Sequence, residues 1–118
     1  VLLNPALDLK AQKQIHQKWG EEAWRKNGGI SPIEHVSKDL PPTIIFHGEA
    51  DKTVLFDTAR GFKTRADRMG AKKVELIGYP EKGHGFFNYG RKNNEDYDAT
   101  VKEMTRFLRE LGWIQSEG

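Results

Sequence analysis

No cysteine occurs in these 118 residues, so no thiol is available as a nucleophile and cysteine usage says nothing of the redox compartment. Serine is scarce: Ser31, Ser37 and Ser116 are the whole supply, and none sits in a Gly-x-Ser-x-Gly setting. No apolar run is long enough to span a membrane, and no signal-like segment opens the chain. No basic tract stands out. Nineteen basic residues against seventeen acidic ones leave a net charge of +2, which argues against a nucleic-acid partner. The four histidines, His16, His35, His47 and His84, show no His-x-x-x-His spacing, so no metal site is expected. No Gly-x-Gly-x-x-Gly or Walker pattern offers a phosphate cradle, and no cofactor is expected. Internal repeats and low-complexity segments are absent as well.

What remains is a polar but patterned chain. Hydrophobic residues make up 36% and charged residues 31%, with a mean hydropathy of −0.73. The apolar residues are clustered and periodic, which suits one globular domain with a modest core. Val1 to Leu3 reads as a short strand stopped by Asn4-Pro5, because proline cannot donate to a ladder. Residues from about Lys10 to Lys26 read as a helix with Ala11, Ile15, Trp19 and Ala23 on one face, although Gly20 interrupts it. Thr43 to His47 is β-branched and aromatic, and reads as a central strand buried on both faces. Val54 to Met69 carries an apolar stripe of Leu55, Ala59, Phe62, Ala66 and Met69, followed by Gly70 as a C-terminal cap. Val74 to Tyr79 is a third strand. The last helix begins at a capping Asn94, shows Tyr97, Val101, Met104, Leu108 and Leu111 as its stripe, and stops at Gly112. Trp113-Ile114 are expected to pack back as a tail. Strand and helix alternate throughout, which predicts an α/β fold: a three-stranded, mostly parallel sheet flanked by helices.

Two residues stand where chemistry gathers in such a sheet, beyond the carboxyl ends of the strands. Asp51 follows the second strand in His47-Gly48-Glu49-Ala50-Asp51. His84 follows the third in Gly83-His84-Gly85-Phe86-Phe87, 33 positions later. The two strands are consecutive and expected to be adjacent, so their loops can meet. A carboxylate that accepts one ring N–H fixes the histidine tautomer and frees the other nitrogen to take a proton. Asp51 and His84 are therefore the candidate catalytic acid and base. An aspartate in a loop is often only a turn residue, and Gly-His-Gly often only a tight loop; it is their pairing at matching strand ends that favours chemistry. His47 reads as a strand-end support for the Asp51 loop, His16 as a solvated helix residue and His35 as part of a connector. Trp19 and Trp24 are read as packing residues. Phe86 and Phe87 could line an acyl pocket, and the Lys72-Lys73 and Arg91-Lys92 pairs read as solvated surface.

From Ser31 to Ile114 the chain resembles the C-terminal third of an α/β-hydrolase, of the esterase/lipase and prolyl-oligopeptidase-like group. The resemblance rests on Pro41-Pro42-Thr43-Ile44-Ile45-Phe46-His47-Gly48-Glu49-Ala50-Asp51-Lys52-Thr53-Val54, on Gly70-Ala71, and on Tyr79-Pro80-Glu81-Lys82-Gly83-His84-Gly85-Phe86-Phe87-Asn88. Val1 to Asp8 resembles the strand that follows the nucleophile region in that family. The resemblance implies a partial α/β-hydrolase fold over residues 1–118, with Asp51 as triad acid and His84 as triad base, in the order Ser…Asp…His.

The departure is equally plain: the nucleophile elbow and the oxyanion-hole backbone are not in this sequence. The expectation is a fragment of a serine hydrolase acting on carboxylic esters, close to inert by itself. Two alternatives carry the same residues: a non-catalytic binding or scaffolding module, and the C-terminal part of a prolyl-oligopeptidase-type peptidase. A small-molecule ester is the expected substrate of the intact protein, with no nucleic-acid or membrane partner. Because the first strand lacks a neighbour on one side, self-association through the edge near Val1-Leu3 is also expected.

Overall fold

The computed structural model describes residues 1–115, with the backbone alone at positions 13–16, 27 and 28. Three strands, β1 (Leu2–Leu3), β2 (Thr43–Gly48) and β3 (Val74–Tyr79), form one parallel sheet in the order β1-β2-β3. Leu2 pairs with Ile45 and Leu3 with Phe46; Thr43 to Gly48 run in register with Val74 to Tyr79. Helix α1 (Lys13–Asn27) lies between β1 and β2, α2 (Phe56–Arg68) between β2 and β3, and α3 (Glu95–Glu110) after β3. Among the described residues no helix is long and apolar enough to cross a membrane.

The period-two side-chain alternation of β2 divides the core into two layers. Ile45 packs with Ala59, Phe62 and Ala66 of α2, and with Leu7, Val36 and Val74. Its neighbours Ile44 and Phe46 face the other way, against Phe107 of α3, with Leu3, Ile77 and Met104 around them. Ile44, Ile45 and Phe46 are fully buried, as a central strand covered on both faces should be. Each such side chain contributes about 1.5–3 kcal/mol relative to exposure.

Several expected details shift. The first helix is broken: a 3-10 turn at Leu9–Ala11 precedes α1, and Gly20 inside α1 has φ 75 and ψ 165, a non-helical geometry that glycine alone adopts cheaply. Of the stripe assigned to it, Ala11 and Trp19 are exposed and Ala23 is half-buried, as is Trp24. Trp19 is thus not the packing residue expected; the side chains of Ile15 and His16 lie outside the described residues. Helix α2 begins two residues later than its apolar pattern suggests, and Leu55 and Met69 at its ends are exposed. Gly70 does close it, with φ +79 and the Ala71 N–H bonded to the Ala66 carbonyl at 3.0 Å.

In α3, Met104, Leu108 and Leu111 of the expected stripe pack against the core as expected, whereas Tyr97 and Val101 are exposed and the buried residues Thr100 and Phe107 lie off the stripe. Asn94 stands at the N-cap position but is left-handed, and its side chain does not cap; its Oδ1 accepts the Gly90 N–H at 2.6 Å. Trp113 and Ile114 are exposed rather than packed back, although the Trp113 N–H still bonds the Leu108 carbonyl at 3.0 Å. Lys73 is no free surface lysine: its Nζ lies 2.7 Å from Glu110 and 5.0 Å from the centre of the Phe107 ring. Arg106 joins the same cluster through Glu75, Glu103 and Glu110, tying α3 to β3, and these acceptors raise its pKa.

Candidate active site

The parallel register brings the ends of β2 and β3 side by side, Gly48 opposite Tyr79, so the segments that leave them run together. Two backbone bonds stitch the two segments, Glu49 N–H to the Tyr79 carbonyl at 3.0 Å and Ala50 N–H to the Lys82 carbonyl at 2.9 Å, while Asp51 N–H to the Gly48 carbonyl at 3.2 Å closes a turn within the first. The approach is so close that a Cβ on Gly48 would strike the backbone of Lys82 and Gly83. Glycine is required here by space, and the sequence supplies it. At the other flank of the histidine, Gly85 has φ +75, which L side chains rarely adopt.

Asp51 and His84 meet across this seam. The His84 Nδ1 lies 2.8 Å from Asp51 Oδ2. Asp51 is 3% exposed, and its other oxygen accepts the Thr53 N–H at 2.8 Å and the Val54 N–H at 2.9 Å. Burial acts first and pushes the carboxyl pKa upward. The Val54 N–H, the His84 N–H, the Thr53 N–H and the charge of His84 together outweigh it and hold Asp51 below its ordinary value. An ionised carboxylate only accepts, so Nδ1 of His84 carries the proton and donates it to Asp51. In the neutral ring Nε2 is then the free base. The His84 side chain is 46% exposed, and Nε2 has no partner among the described residues.

Asp51 faces a second imidazole. His47 Nε2 is 3.5 Å from Asp51 Oδ2. Burial decides which histidine can work on a substrate: His47 is 0% exposed and its Nε2 is committed to the Val54 carbonyl at 2.8 Å. Only His84 presents a nitrogen to the outside. His35 lies away from the site, its Nε2 2.5 Å from the Gly29 carbonyl. No group of three or more potential metal ligands occurs among the described residues.

Two residues past the histidine, Phe86 is buried and packs on Tyr79 with ring centres 4.7 Å apart and planes tilted by 39°, and Phe87 meets Phe86 edge-on at 5.4 Å. This aromatic floor supports the loop after β3. An open pocket of about 410 Å³ lies beside it, lined by His84, Phe86, Lys82, Arg91 and Asp96 among others. Lys82 and Asp96 close one wall with a 2.7 Å ion pair. Arg91 and Lys92, read from sequence as plain surface, are exposed and edge this pocket.

Sequence reasoning passed over Asn4, taken only as a strand stop. Asn4 is buried with φ 43, its N–H bonds the Phe46 carbonyl at 2.8 Å, and its Oδ1 accepts the Gly48 N–H at 2.8 Å. It thereby fixes the end of β2 from the β1 side. The one available signal was its type, since asparagine tolerates left-handed backbone and bonds locally.

A parallel sheet with helices on both faces, bearing an aspartate and a histidine joined beyond the ends of adjacent strands, defines the α/β-hydrolase class. Residues 5–112 match the prolyl oligopeptidase family, and the chain belongs to that family. Its similar relatives are esterases. A probable carboxylic ester hydrolase of Mycobacterium tuberculosis, LipM, is 30% identical over 88 residues, covering 75% of this chain and 20% of that protein. Esterase LipC of the same organism is 34% identical over 56 residues, covering 48% of this chain and 14% of the relative. A thermophilic esterase of Thermogutta terrifontis, Est2, solved with propionate bound, superposes with a TM-score of 0.83 at 36% identity over 99% of this chain and 44% of that one. The chain thus spans a fifth or less of these two curated relatives and under half of the solved esterase.

Proposed function

We propose that this chain forms the acid–base portion of a serine hydrolase acting on carboxylic esters, the C-terminal part of an α/β-hydrolase domain. Asp51 orients His84, and His84 Nε2 serves as general base toward a serine that residues 1–118 do not supply. The observation that carries the reading is the 2.8 Å bond from His84 Nδ1 to a buried, ionised Asp51, with Nε2 left open. In that geometry the base takes the serine proton during attack and returns it to the leaving alcohol, while Asp51 stabilises the imidazolium. The esterase names among its relatives favour an ester, and the propionate-bound and butyrate-bound forms of Est2 support a short acyl group. The family match favours a second reading, a peptidase, which uses the same two residues.

A chimera tests both. Residues 1–118 replace the matching segment of Est2, and hydrolysis of p-nitrophenyl acetate and of a peptidyl anilide is followed. The expected result is ester turnover that His84→Ala or Asp51→Asn reduces by about 10³-fold or more. A folded His84→Ala chimera that cleaves esters as well as its parent chimera contradicts the proposal, and preference of the parent for the anilide favours the peptidase.

We also propose that residues 1–118 self-associate through β1. Its outer side has no strand partner among the described residues, and the apolar groove beside it, lined by Leu3, Tyr97, Val101 and Met104, is open. An unpaired edge with apolar surface beside it is a template for another chain. Sedimentation equilibrium at tens of micromolar should show a dimer; a clean 13.5 kDa monomer with a cooperative melt would exclude it.

A further inference from the structure

His47 occupies a position where stability alone would favour an aliphatic side chain. It is fully buried at the end of β2, just after Ile44, Ile45 and Phe46, with the Phe56 ring 5.8 Å away. Its Nδ1 is buried without a hydrogen-bond partner, a cost of the kind that interiors usually avoid. What the imidazole gains in return lies at Nε2. A carbonyl only accepts, so Nε2 carries a proton and donates it to the Val54 carbonyl at 2.8 Å. The Val54 N–H in turn donates to Asp51 Oδ1 at 2.9 Å, and Asp51 Oδ2 accepts from His84. The His47 Nε2 also lies 3.5 Å from Asp51 Oδ2.

From this connected set, and resting on the acid–base reading above, we infer that His47 is a positioning residue: it anchors the Val54 carbonyl and, through the Val54 backbone, restrains the preceding Thr53–Val54 peptide, whose N–H together with that of Thr53 holds Asp51 in the rotamer that faces His84. The clamp is needed because Asp51 sits in a segment outside helix and strand, three residues past β2. Without it, the carbonyl of the Val54–Leu55 peptide loses its side-chain partner, and the Val54 backbone is free to turn its N–H away from Asp51. The other charged groups near this side of Asp51, Glu49, Asp57 and Arg60, line an open pocket and are solvated. They leave the orientation of the carboxylate to its hydrogen bonds.

The test is long-range ¹H–¹⁵N NMR of the histidine rings in the 118-residue chain, for wild type, Asp51→Asn, His47→Leu and His47→Gln. In wild type, His84 should be protonated at Nδ1 and His47 at Nε2. His47→Leu should move the His84 ring toward the Nε2–H tautomer and speed exchange of its ring proton by about tenfold or more, with backbone signals of β2 and β3 retained. His47→Gln, whose amide can again donate to the Val54 carbonyl, should restore most of the wild-type signature. A folded His47→Leu protein with unchanged His84 signals, beside an Asp51→Asn protein that alters them, overturns the positioning role alone. A wild-type spectrum indifferent to Asp51→Asn overturns the acid–base reading and the positioning role together. If His47→Leu does not fold, wild type still decides: His47 protonated at Nδ1 instead of Nε2 refutes the clamp.

Discussion

Gly48→Ala is the sharpest perturbation of the seam that joins the two strand ends. A Cβ built there lies 2.8 Å from the Lys82 carbonyl carbon and 2.9 Å from the Gly83 carbonyl oxygen, closer still to the Lys82 oxygen. Ordinary contact begins near 3.4 Å, so clearing the Lys82 oxygen, the closest atom, requires the two segments to part by about 1 Å. The obstacle is backbone, which cannot swing aside as a lysine tip would. Overpacking of this kind costs about 1–3 kcal/mol. For a chain of this size that lowers Tm by roughly 4–12 °C. The same displacement acts on the segment that carries His84. It would stretch the 2.8 Å bond to Asp51 to about 3.8 Å, too long for a hydrogen bond. Thermal melts by circular dichroism read the first effect, and the His84 ring-proton signal reads the second. A Gly48→Ala protein with a Tm within about 1 °C of wild type and an intact ring-proton signal would refute the reasoning.

Two further outcomes follow from the geometry. Asp51 is held below its ordinary value near 3.8, so its ionised form contributes stability that is present above that value and lost as pH falls through the lower folded value. Melting wild type and Asp51→Asn from about pH 6 down to pH 2 should therefore show wild type more stable at the top of the range and the two curves converging at the bottom; parallel curves contradict it. Phe107→Ala removes the largest contact between α3 and the sheet and should cost about 3–5 kcal/mol in urea unfolding, whereas Val101→Ala, on the exposed side of the same helix, should cost well under 1 kcal/mol.

The fold was legible where local pattern and tertiary burial agree. Thr43 to His47 is β-branched and aromatic and is buried on both faces; Val74 to Tyr79 is bounded by lysines and by Pro80, and the strand has those limits. Pattern misled where amphipathic helices have more apolar surface than this sheet can cover. Tyr97 and Val101 extend a regular stripe, yet among the described residues no strand lies beyond β1 to cover them; Met104, Leu108 and Leu111 of that stripe pack, and Phe107, one position off it, takes the central place. At the candidate site, Asp51 and His84 could be found because each follows a strand and each sits in a tight segment. Asn4 and the Nε2 bond of His47 could not, since both depend on contacts across strand ends that no spacing records. The glycine at position 48 is the opposite case: its need arises from a backbone 34 residues away, and only the paired strand ends make it visible.

The central claim is that Asp51 fixes His84 with its proton on Nδ1 and its Nε2 free to accept one. Ring ¹⁵N shifts of His84 in the 118-residue chain test it most directly. Neutral wild type should show a protonated Nδ1 and an unprotonated Nε2, with that preference lost in Asp51→Asn. A wild-type ring protonated at Nε2, or a tautomer that does not respond to Asp51→Asn, would contradict it.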